Sequence, residues 1–295
     1  MKVLITGGTG LIGQHLISKL KRKHIDFAIL TRSPSESNEF KWDIKQQYID
    51  ENAFENVTHL VHLAGAGIAD KRWTESRKKV LYNSRIDSTN LLLKYIENHN
   101  IPLDSYVGGS ASGYYGNSED EKFDENSSPG NDFLANITID WEKAHNKLQP
   151  HTKKHTIIRT GIVLSNDGGA LKSLALPIKY YIGAPVGSGK QYISWIHIND
   201  LVELFYKSLF DDNYSGIING CAPNPVTNEK MTEVIAKELN KPLFLPNVPG
   251  FMLKLLLGEF SQFILYGAHV TSNKLKDKGF EFKFPNIETT IKDLL

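Results

Sequence analysis

Cysteine is nearly absent from this chain of 295 residues, in which Cys221 is the only one. A single cysteine excludes a disulfide framework and a metal site built from several thiolates. Long apolar runs are also missing, since none approaches the roughly 20 residues of a membrane-spanning helix. The apolar stretch Phe251–Leu265 is interrupted by Lys254 and Glu259, and we expect it to pack against a substrate cleft rather than to bind a membrane.

An excess of charge of one sign is lacking as well, because the chain has 34 Lys and Arg residues and 33 Asp and Glu residues. This balance removes the electrostatic argument for nucleic acid or an anionic membrane as the main partner. We expect no metal site, since His59 and His62 are three apart on a predicted strand and face opposite sides. Met1–Ile5 is typical of a strand and not of a secretory signal, so we expect a cytoplasmic protein with a small-molecule ligand.

Short β-rich runs alternate with amphipathic helices in the first half of the chain. This alternation predicts an α/β fold, a Rossmann-type doubly wound parallel sheet with crossover helices. The predicted strands are Val3–Thr6, Phe27–Leu30, His59–Ala64, Tyr106–Ala111 and Thr156–Leu164, and the predicted helices are Leu11–Lys23, Arg77–Asn98 and Phe133–Lys147.

The alternation loosens in the second half, which predicts a smaller α/β C-terminal substrate lobe. We expect helices over Ala170–Ile182 and Leu201–Phe210, and strands over Tyr192–Ile198 and Gly216–Cys221. Asp200 is interpreted as the N-cap of the helix that follows the strand. The predicted division assigns residues 1–165 plus 190–222 to the dinucleotide-binding domain, and 166–189 plus 223–295 to the smaller lobe.

A glycine-rich run lies between the first strand and the first helix. Glycines at such a turn allow the sharp bend, the approach of backbone N–H groups to a pyrophosphate and the packing of helix on strand. The required strand and helix are both predicted here, which favours a dinucleotide site over a flexible turn. The candidate cofactor-binding residues of this run are Gly7, Gly10, Leu11, Ile12 and Gly13.

The end of the second strand has no acidic residue of the kind that binds the adenosine ribose 2′-OH of NAD. The sequence there is Thr31-Arg32-Ser33. A guanidinium suits a 2′-phosphate, so we expect NADP, with NAD less favoured. The alternative is that Arg32 is a solvated loop cation. Asp43, after Lys41-Trp42, is a candidate for capping the adenine side.

Several motifs together carry a family resemblance. They are GGTGLIG at residues 7–13, HLAG at 62–65, SASGYYG at 110–116, Trp141-Glu142, Arg159-Thr160-Gly161, SWIHIND at 194–200, and Asn219 with Ala222-Pro223. This set resembles the extended short-chain dehydrogenases/reductases of the NAD-dependent epimerase/dehydratase superfamily. It most resembles an atypical branch of uncharacterised "epimerase family" proteins with a C-terminal domain of unknown function. The resemblance implies that Leu63, Ala64 and Gly65 also bind the cofactor.

The Tyr-Lys pair with which active members of the superfamily transfer protons is missing. None of the 12 tyrosines is followed by a lysine four residues later. Alignment on Glu142 places Leu134 where the tyrosine should stand and Thr138 where the lysine should stand. Neither side chain transfers protons as a phenol and an ammonium do.

Three other residues are candidates for the catalytic site. Ser110 is favoured over Ser112 as the serine that binds a substrate carbonyl. Tyr114 is a candidate acid at the mouth of the cleft, with a core aromatic as the alternative. Arg85 stands where the superfamily usually has Asn, either as a cation near the nicotinamide or as an ordinary surface residue.

The sequence therefore leaves two alternative functions. The first is an NADP-binding oxidoreductase-like or epimerase-like enzyme that acts on an unknown small carbonyl or sugar-like compound. The alternative is a non-catalytic, NADP-responsive binding or regulatory protein. The oligomeric state is left open, and a homodimer is compatible with the sequence.

Overall fold

The structure is a computed structural model that describes residues 1–295. Strands and helices alternate through its first half, as their bounds show. The strands are β1 Lys2–Thr6, β2 Asp26–Thr31, β3 Glu39–Asp43, β4 Tyr48–Ile49, β5 Val57–His62, β6 Leu103–Ala111, β7 Lys122–Phe123, β8 Thr152–Thr160, β9 Ile162–Leu164, β10 Tyr192–Ile193, β11 Trp195–His197, β12 Gly216–Gly220, β13 Val226–Thr227 and β14 His269–Val270. The helices are α1 Leu11–Arg22, α2 Glu75–Asn98, α3 Phe133–Asn146, α4 Ala170–Lys179, α5 Ile198–Phe210, α6 Asn228–Glu238, α7 Gly250–Leu257, α8 Ser261–Leu265, α9 Asn273–Asp277 and α10 Ile287–Leu294.

Eight strands form the central sheet in the order β12-β8-β6-β5-β1-β2-β3-β4. Every neighbouring pair is parallel except β3 with β4. The chain winds outward from β1 in both directions, so the strand order reverses between β1 and β5. This topology confirms the predicted Rossmann-type α/β fold, and it opens a crevice at the carboxyl ends of β1 and β5.

Both faces of the sheet are covered, which explains the continuous apolar runs of its strands. In β1, Val3 and Ile5 belong to the hydrophobic cluster that contains Leu16 of α1, whereas Leu4 belongs to the opposite cluster with Leu92 of α2. This alternation is the period of two that side chains have along a strand. The two clusters fix α1 and α2 on opposite sides of the crevice.

Two predicted strands are each divided in the structure. The predicted strand Thr156–Leu164 breaks at Gly161, where a Cβ would lie 2.5 Å from the Ser194 carbonyl oxygen. After that close approach the chain leaves the central sheet, and β9 pairs with β11 instead. The predicted strand Tyr192–Ile198 breaks at Ser194, whose Oγ donates to the Ala268 carbonyl 2.7 Å away. Contacts with residues distant in the chain thus override the local strand pattern.

Asp200 does not cap its own helix, contrary to the prediction. The N-cap of α5 is His197, whose Nδ1 accepts from the Asn199 N–H at 3.0 Å. Asp200 lies in the first turn, where its two oxygens accept from the N–H groups of Lys283 at 3.0 Å and Phe284 at 2.9 Å. Its carboxylate therefore anchors the C-terminal segment to the central domain.

A separate hydrophobic cluster lies among α4, α6 and α10, with Leu171, Met231 and Ile291 among its fully buried members. Trp195 of β11 belongs to the same cluster. The division of the chain into a dinucleotide-binding domain and a smaller lobe at the predicted boundaries stays our proposal.

The apolar stretch Phe251–Leu265 is only partly packed. Helix α7 has no buried residue, and Phe251 is 72% exposed. Farther on, Phe260 packs against Trp73, with ring centroids 5.7 Å apart. The expectation of packing is therefore wrong for the first half of the stretch. No helix has the length and apolar character needed to cross a membrane.

Candidate functional site

The glycine-rich turn between β1 and α1 lies at the mouth of the crevice. Gly7 has φ +72°, and a Cβ on it would lie 2.8 Å from the Leu63 carbonyl carbon. A Cβ on Gly13 would lie 2.3 Å from the Gly7 carbonyl oxygen. Both positions therefore require glycine, and the turn is held directly against the end of β5.

The first N–H groups of α1 are free to bind a ligand. Those of Leu11, Ile12 and Gly13 have no backbone acceptor in the chain, as is usual for the first turn of a helix. Gly10 precedes them, is exposed, and has only the Gly7 carbonyl oxygen near its virtual Cβ, at 3.3 Å. These donors and the positive end of the helix dipole form a site for a phosphate group.

Arg32 is exposed just beyond the carboxyl end of β2, where it has no acidic partner. The arginine salt bridges of the chain are those of Arg77 and Arg159. The neighbouring Ser33 N–H lies 3.4 Å from Thr31 Oγ1. Strand β3 lies alongside β2, and the Asp43 carboxylate at its end accepts from the Lys45 and Gln46 N–H groups. These residues line one edge of the crevice, with the cation unpaired.

A chain of buried hydrogen bonds fixes the end of β5. Burial lowers the pKa of His62 to about 3, so its ring is neutral near pH 7. Thr6 Oγ1 accepts from the Ala64 N–H at 3.2 Å and donates to His62 Nδ1 at 2.6 Å. His62 Nε2 then donates to Thr89 Oγ1 at 3.0 Å, and that hydroxyl donates to the Arg85 carbonyl at 2.8 Å. The network thereby holds α2 in register with the turn at Ala64.

The Ser110 hydroxyl is hydrogen-bonded to a buried ion pair. Its Oγ donates to Glu142 Oε1 at 2.6 Å. The same carboxylate accepts from Arg159 Nε and Nη2, each at 2.8 Å, and both side chains of the pair are almost completely buried. Burial lowers the pKa of Arg159, but the hydrogen bond and charge of Glu142 outweigh it and raise the pKa overall. Arg159 therefore stays charged, and its pair with Glu142 fixes the direction of the Ser110 hydroxyl.

The two tyrosines after β6 have different environments. Tyr115 is buried, donates to Asn219 Oδ1 at 2.7 Å and accepts from Arg159 Nη1 at 3.0 Å. Burial raises its pKa far above the usual range, so it is a structural group. Tyr114 is half-buried, and the Arg159 guanidinium lies 3.4 Å from its ring centroid. Its hydroxyl is bound to no group of the chain.

The two positions that alignment on Glu142 assigns to the Tyr-Lys pair lie on α3. Leu134 packs near Gly113, whose virtual Cβ would be 3.4 Å from the leucine Cβ. Thr138 is buried, and its Oγ1 donates to the carbonyls of Leu134 at 2.8 Å and Ala135 at 2.9 Å. Neither residue presents an acid or a base to the crevice.

Arg85 lies on the inner face of α2, at the end of β5. Its Cζ lies 5.1 Å from the Trp141 ring centroid, and a Cβ on Gly65 would be 3.2 Å from the same atom. Burial, and to a smaller extent the charge of Arg77, lowers the pKa of Arg85 to about 10. It is therefore a cation at neutral pH, and it is not an ordinary surface residue.

Sequence reasoning did not find the pairing of Glu142 with Arg159. The two residues are separated by 17 positions and lie on a helix and a strand, so no local spacing relates them. The available signal was an arginine within the apolar run of β8, because a buried cation needs a partner.

Two family models match parts of this chain. The model of the NAD dependent epimerase/dehydratase family matches residues 3–136, and a domain of unknown function (DUF1731) matches residues 248–294. A chloroplastic homolog of epimerase family protein SDR39U1 from Arabidopsis thaliana is 38% identical, over 100% of this chain and 87% of the relative. The chain belongs to the epimerase family. An epimerase family protein of Staphylococcus aureus is 35% identical over 99% of this chain and 98% of its own length. The resemblance stated from the motifs is confirmed, including the C-terminal domain.

Solved structures of epimerase family relatives share the fold. The human epimerase family protein SDR39U1, crystallised with NADPH, has a TM-score of 0.88 and 28% identity, with 100% of this chain and 99% of that chain covered. A nucleoside-diphosphate sugar epimerase from Corynebacterium glutamicum has a TM-score of 0.81 and 29% identity, with 100% of this chain and 58% of that chain covered.

Proposed function

We propose that this epimerase family protein binds NADP(H) in the crevice between β1 and β5. The observation that carries the proposal is the glycine turn with free N–H donors at Leu11, Ile12 and Gly13. The unpaired Arg32 supplies the positive charge for a 2′-phosphate, and Leu63, Ala64 and Gly65 border the turn. The human relative that was crystallised with NADPH supports the same cofactor class.

Calorimetry with NADPH and NADH tests this proposal. A charge-assisted hydrogen bond contributes about 1.5–3 kcal/mol, so we expect NADPH to bind about tenfold or more tightly than NADH. Arg32→Ala should remove most of this preference, whereas Arg22→Ala, at an exposed arginine on α1, should keep it. Equal affinities for the two cofactors, or an unchanged preference in Arg32→Ala, would refute the assignment of the 2′-phosphate site.

We infer that the chemistry is oxidoreductase-like or epimerase-like, on a small carbonyl or sugar-like compound. Ser110, Tyr114 and Arg85 are the polar residues proposed to act there. A preorganised cation such as Arg85 stabilises a developing oxyanion. Tyr114 offers a hydroxyl that is not used by the fold. The compartment proposed is the cytoplasm, with no nucleic acid, membrane or metal partner.

A second candidate function is a non-catalytic, NADP-responsive protein. It is favoured by the state of the proton-transfer positions, since Leu134 has no polar group and the Thr138 hydroxyl is bound to its own helix. The Ser110 hydroxyl is likewise directed to Glu142. General acid–base catalysis contributes about 10²- to 10⁴-fold, so turnover of common sugar nucleotides should be very slow or absent.

A substrate panel followed by hydride-transfer assays separates the two functions. Activity that depends on Ser110→Ala, Tyr114→Phe or Arg85→Ala supports the enzyme and its site. Full activity in all three variants would show that the active site lies elsewhere. Firm NADPH binding with no turnover on any substrate would favour the regulatory protein.

A further inference from the structure

Arg85 is held in place by the fold but is not neutralised by it. Its Nη1 donates to the Leu81 carbonyl at 2.9 Å, and this is its one hydrogen bond within the chain. A guanidinium has five N–H donors, so four are left without a partner. Arg85 Nε and Nη2 keep some exposure, because the buried unpartnered atoms of this region are Arg77 Nε and Trp141 Nε1. The N–H groups on these two nitrogens are therefore available to a ligand.

The charges around Arg85 are already used elsewhere. Asp70 lies 3.5 Å from Arg77, which also donates to the Gly67 carbonyl. Asp140 of α3 accepts from Tyr82 and Lys143. Asp87, two residues beyond Arg85 on α2, is half-exposed and forms no salt bridge. No carboxylate of the neighbouring elements neutralises Arg85. Its positive charge is therefore available to an anionic ligand.

The walls around Arg85 are flat and rigid. The Trp141 indole lies on one side of the guanidinium, and the Gly65 backbone lies close to its Cζ. The hydrogen-bond network from Thr6 through His62 to Thr89 fixes the Arg85 carbonyl relative to Ala64. A half-buried cation held in this way loses little side-chain entropy when it binds a ligand.

We propose that Arg85 binds a carboxylate of a small substrate at the carboxyl ends of β5 and β6. The proposal rests on the proposed function, because this position lies beside the residues that border the cofactor turn. The planar fork of a guanidinium matches a carboxylate with two parallel hydrogen bonds. A phosphate dianion is the poorer match, since it concentrates two charges on one group and Arg85 is the only unpaired guanidinium that would face them, Arg77 being paired with Asp70. Each carboxylate of a ligand carries a single charge.

Indole resonances report this site directly. The chain has 4 tryptophans, so four indole N–H signals are expected, and Trp141→Phe identifies the one that belongs to Trp141. The probe is malonate, added to the NADP⁺-loaded chain, with the neutral malonamide as its matched ligand. We expect malonate to shift the Trp141 signal with saturation, and malonamide to leave it in place.

Variants of α2 separate the site from a general charge effect. Arg85→Gln should weaken malonate binding about tenfold or more, and Arg85→Lys should weaken it less, because the charge stays and the fork is lost. Lys79→Gln removes one exposed positive charge from the same helix and should behave as wild type. An equal response in wild type and Arg85→Gln, or tighter binding of inorganic phosphate than of malonate, would overturn the proposal.

Calorimetry of NADP⁺ on the same samples distinguishes failure of this inference from failure of the cofactor site. Unchanged NADP⁺ affinity in Arg85→Gln, with malonate binding lost, supports the carboxylate site. If Arg85→Gln instead loses NADP⁺ affinity, Arg85 belongs to the cofactor site and the proposal is wrong. If wild type does not bind NADP⁺, the proposed function fails, and malonate titration of the cofactor-free chain still tests Arg85.

Discussion

A change in the buried ion pair beside Ser110 is predicted to lower the free energy of unfolding strongly. In Glu142→Gln the side chain keeps its shape and one acceptor for Ser110. In the wild type, Glu142 Oε2 accepts a hydrogen bond from Arg159 Nη2 at 2.8 Å. In the variant, the amide NH₂ takes the place of that oxygen and faces the Arg159 N–H groups. Because the Arg159 side chain is 2% exposed, solvent cannot replace the lost charge.

Removing one member of a buried ion pair costs about 3–5 kcal/mol. The three hydrogen bonds that Glu142 accepts place this pair at the upper part of that range. A typical folding free energy is about 5–15 kcal/mol, so the variant loses a large share of its stability. The double variant with Arg159→Met also removes the stranded cation, and we expect it to be more stable than Glu142→Gln alone.

Urea unfolding of the wild type, the single variant and the double variant measures these differences. Asp104→Asn is the matched control, because its pair with Lys153 has the same 2.8 Å separation and lies on the surface. We expect little change in this control. A loss below about 1 kcal/mol in Glu142→Gln, the range of exposed pairs, would show that the network does not support the fold as argued.

Three further predictions concern other parts of the chain. Gly10→Val should fold but lose NADPH binding, because its branched side chain fills the approach to the free N–H groups of α1; NADPH binding by a folded variant would contradict it. Since the folded pKa of His62, about 3, lies below its unfolded value near 6.5, stability should fall as the pH drops below about 6.5, by about 1.4 kcal/mol per unit. His62→Gln should flatten this slope in pH-dependent unfolding, and an unchanged slope would refute the assignment. Asp200→Asn should release the segment at Lys283 and Phe284, and unchanged resistance to limited proteolysis would argue against the anchor.

The central sheet could be predicted from the sequence because its signals are local. Apolar runs such as Val3–Thr6 and the glycine turn before α1 depend on neighbouring residues, and the family motifs agree with them. The breaks at Gly161 and Ser194 could not be predicted in this way. They arise from contacts with Ala268 and with each other across the chain, which no periodicity records.

The candidate site was predictable to a smaller extent. The glycine turn was predicted from its residue types between a strand and a helix, whereas the lack of an acidic partner for Arg32 could be seen only in the structure. The role of Asp200 was wrong, because its partners lie 83 and 84 positions away. The hydrogen bond from Ser110 to Glu142 depends on the packing of α3 against β6, so the sequence alone could not predict it.

A crystal structure of the chain with NADP⁺ tests the central claim most directly. We predict the pyrophosphate at the N–H groups of Leu11, Ile12 and Gly13, and the 2′-phosphate at Arg32. The nicotinamide should lie between Gly65 and Ser110. A dinucleotide bound away from the glycine turn, or a 2′-phosphate remote from Arg32, would contradict the account.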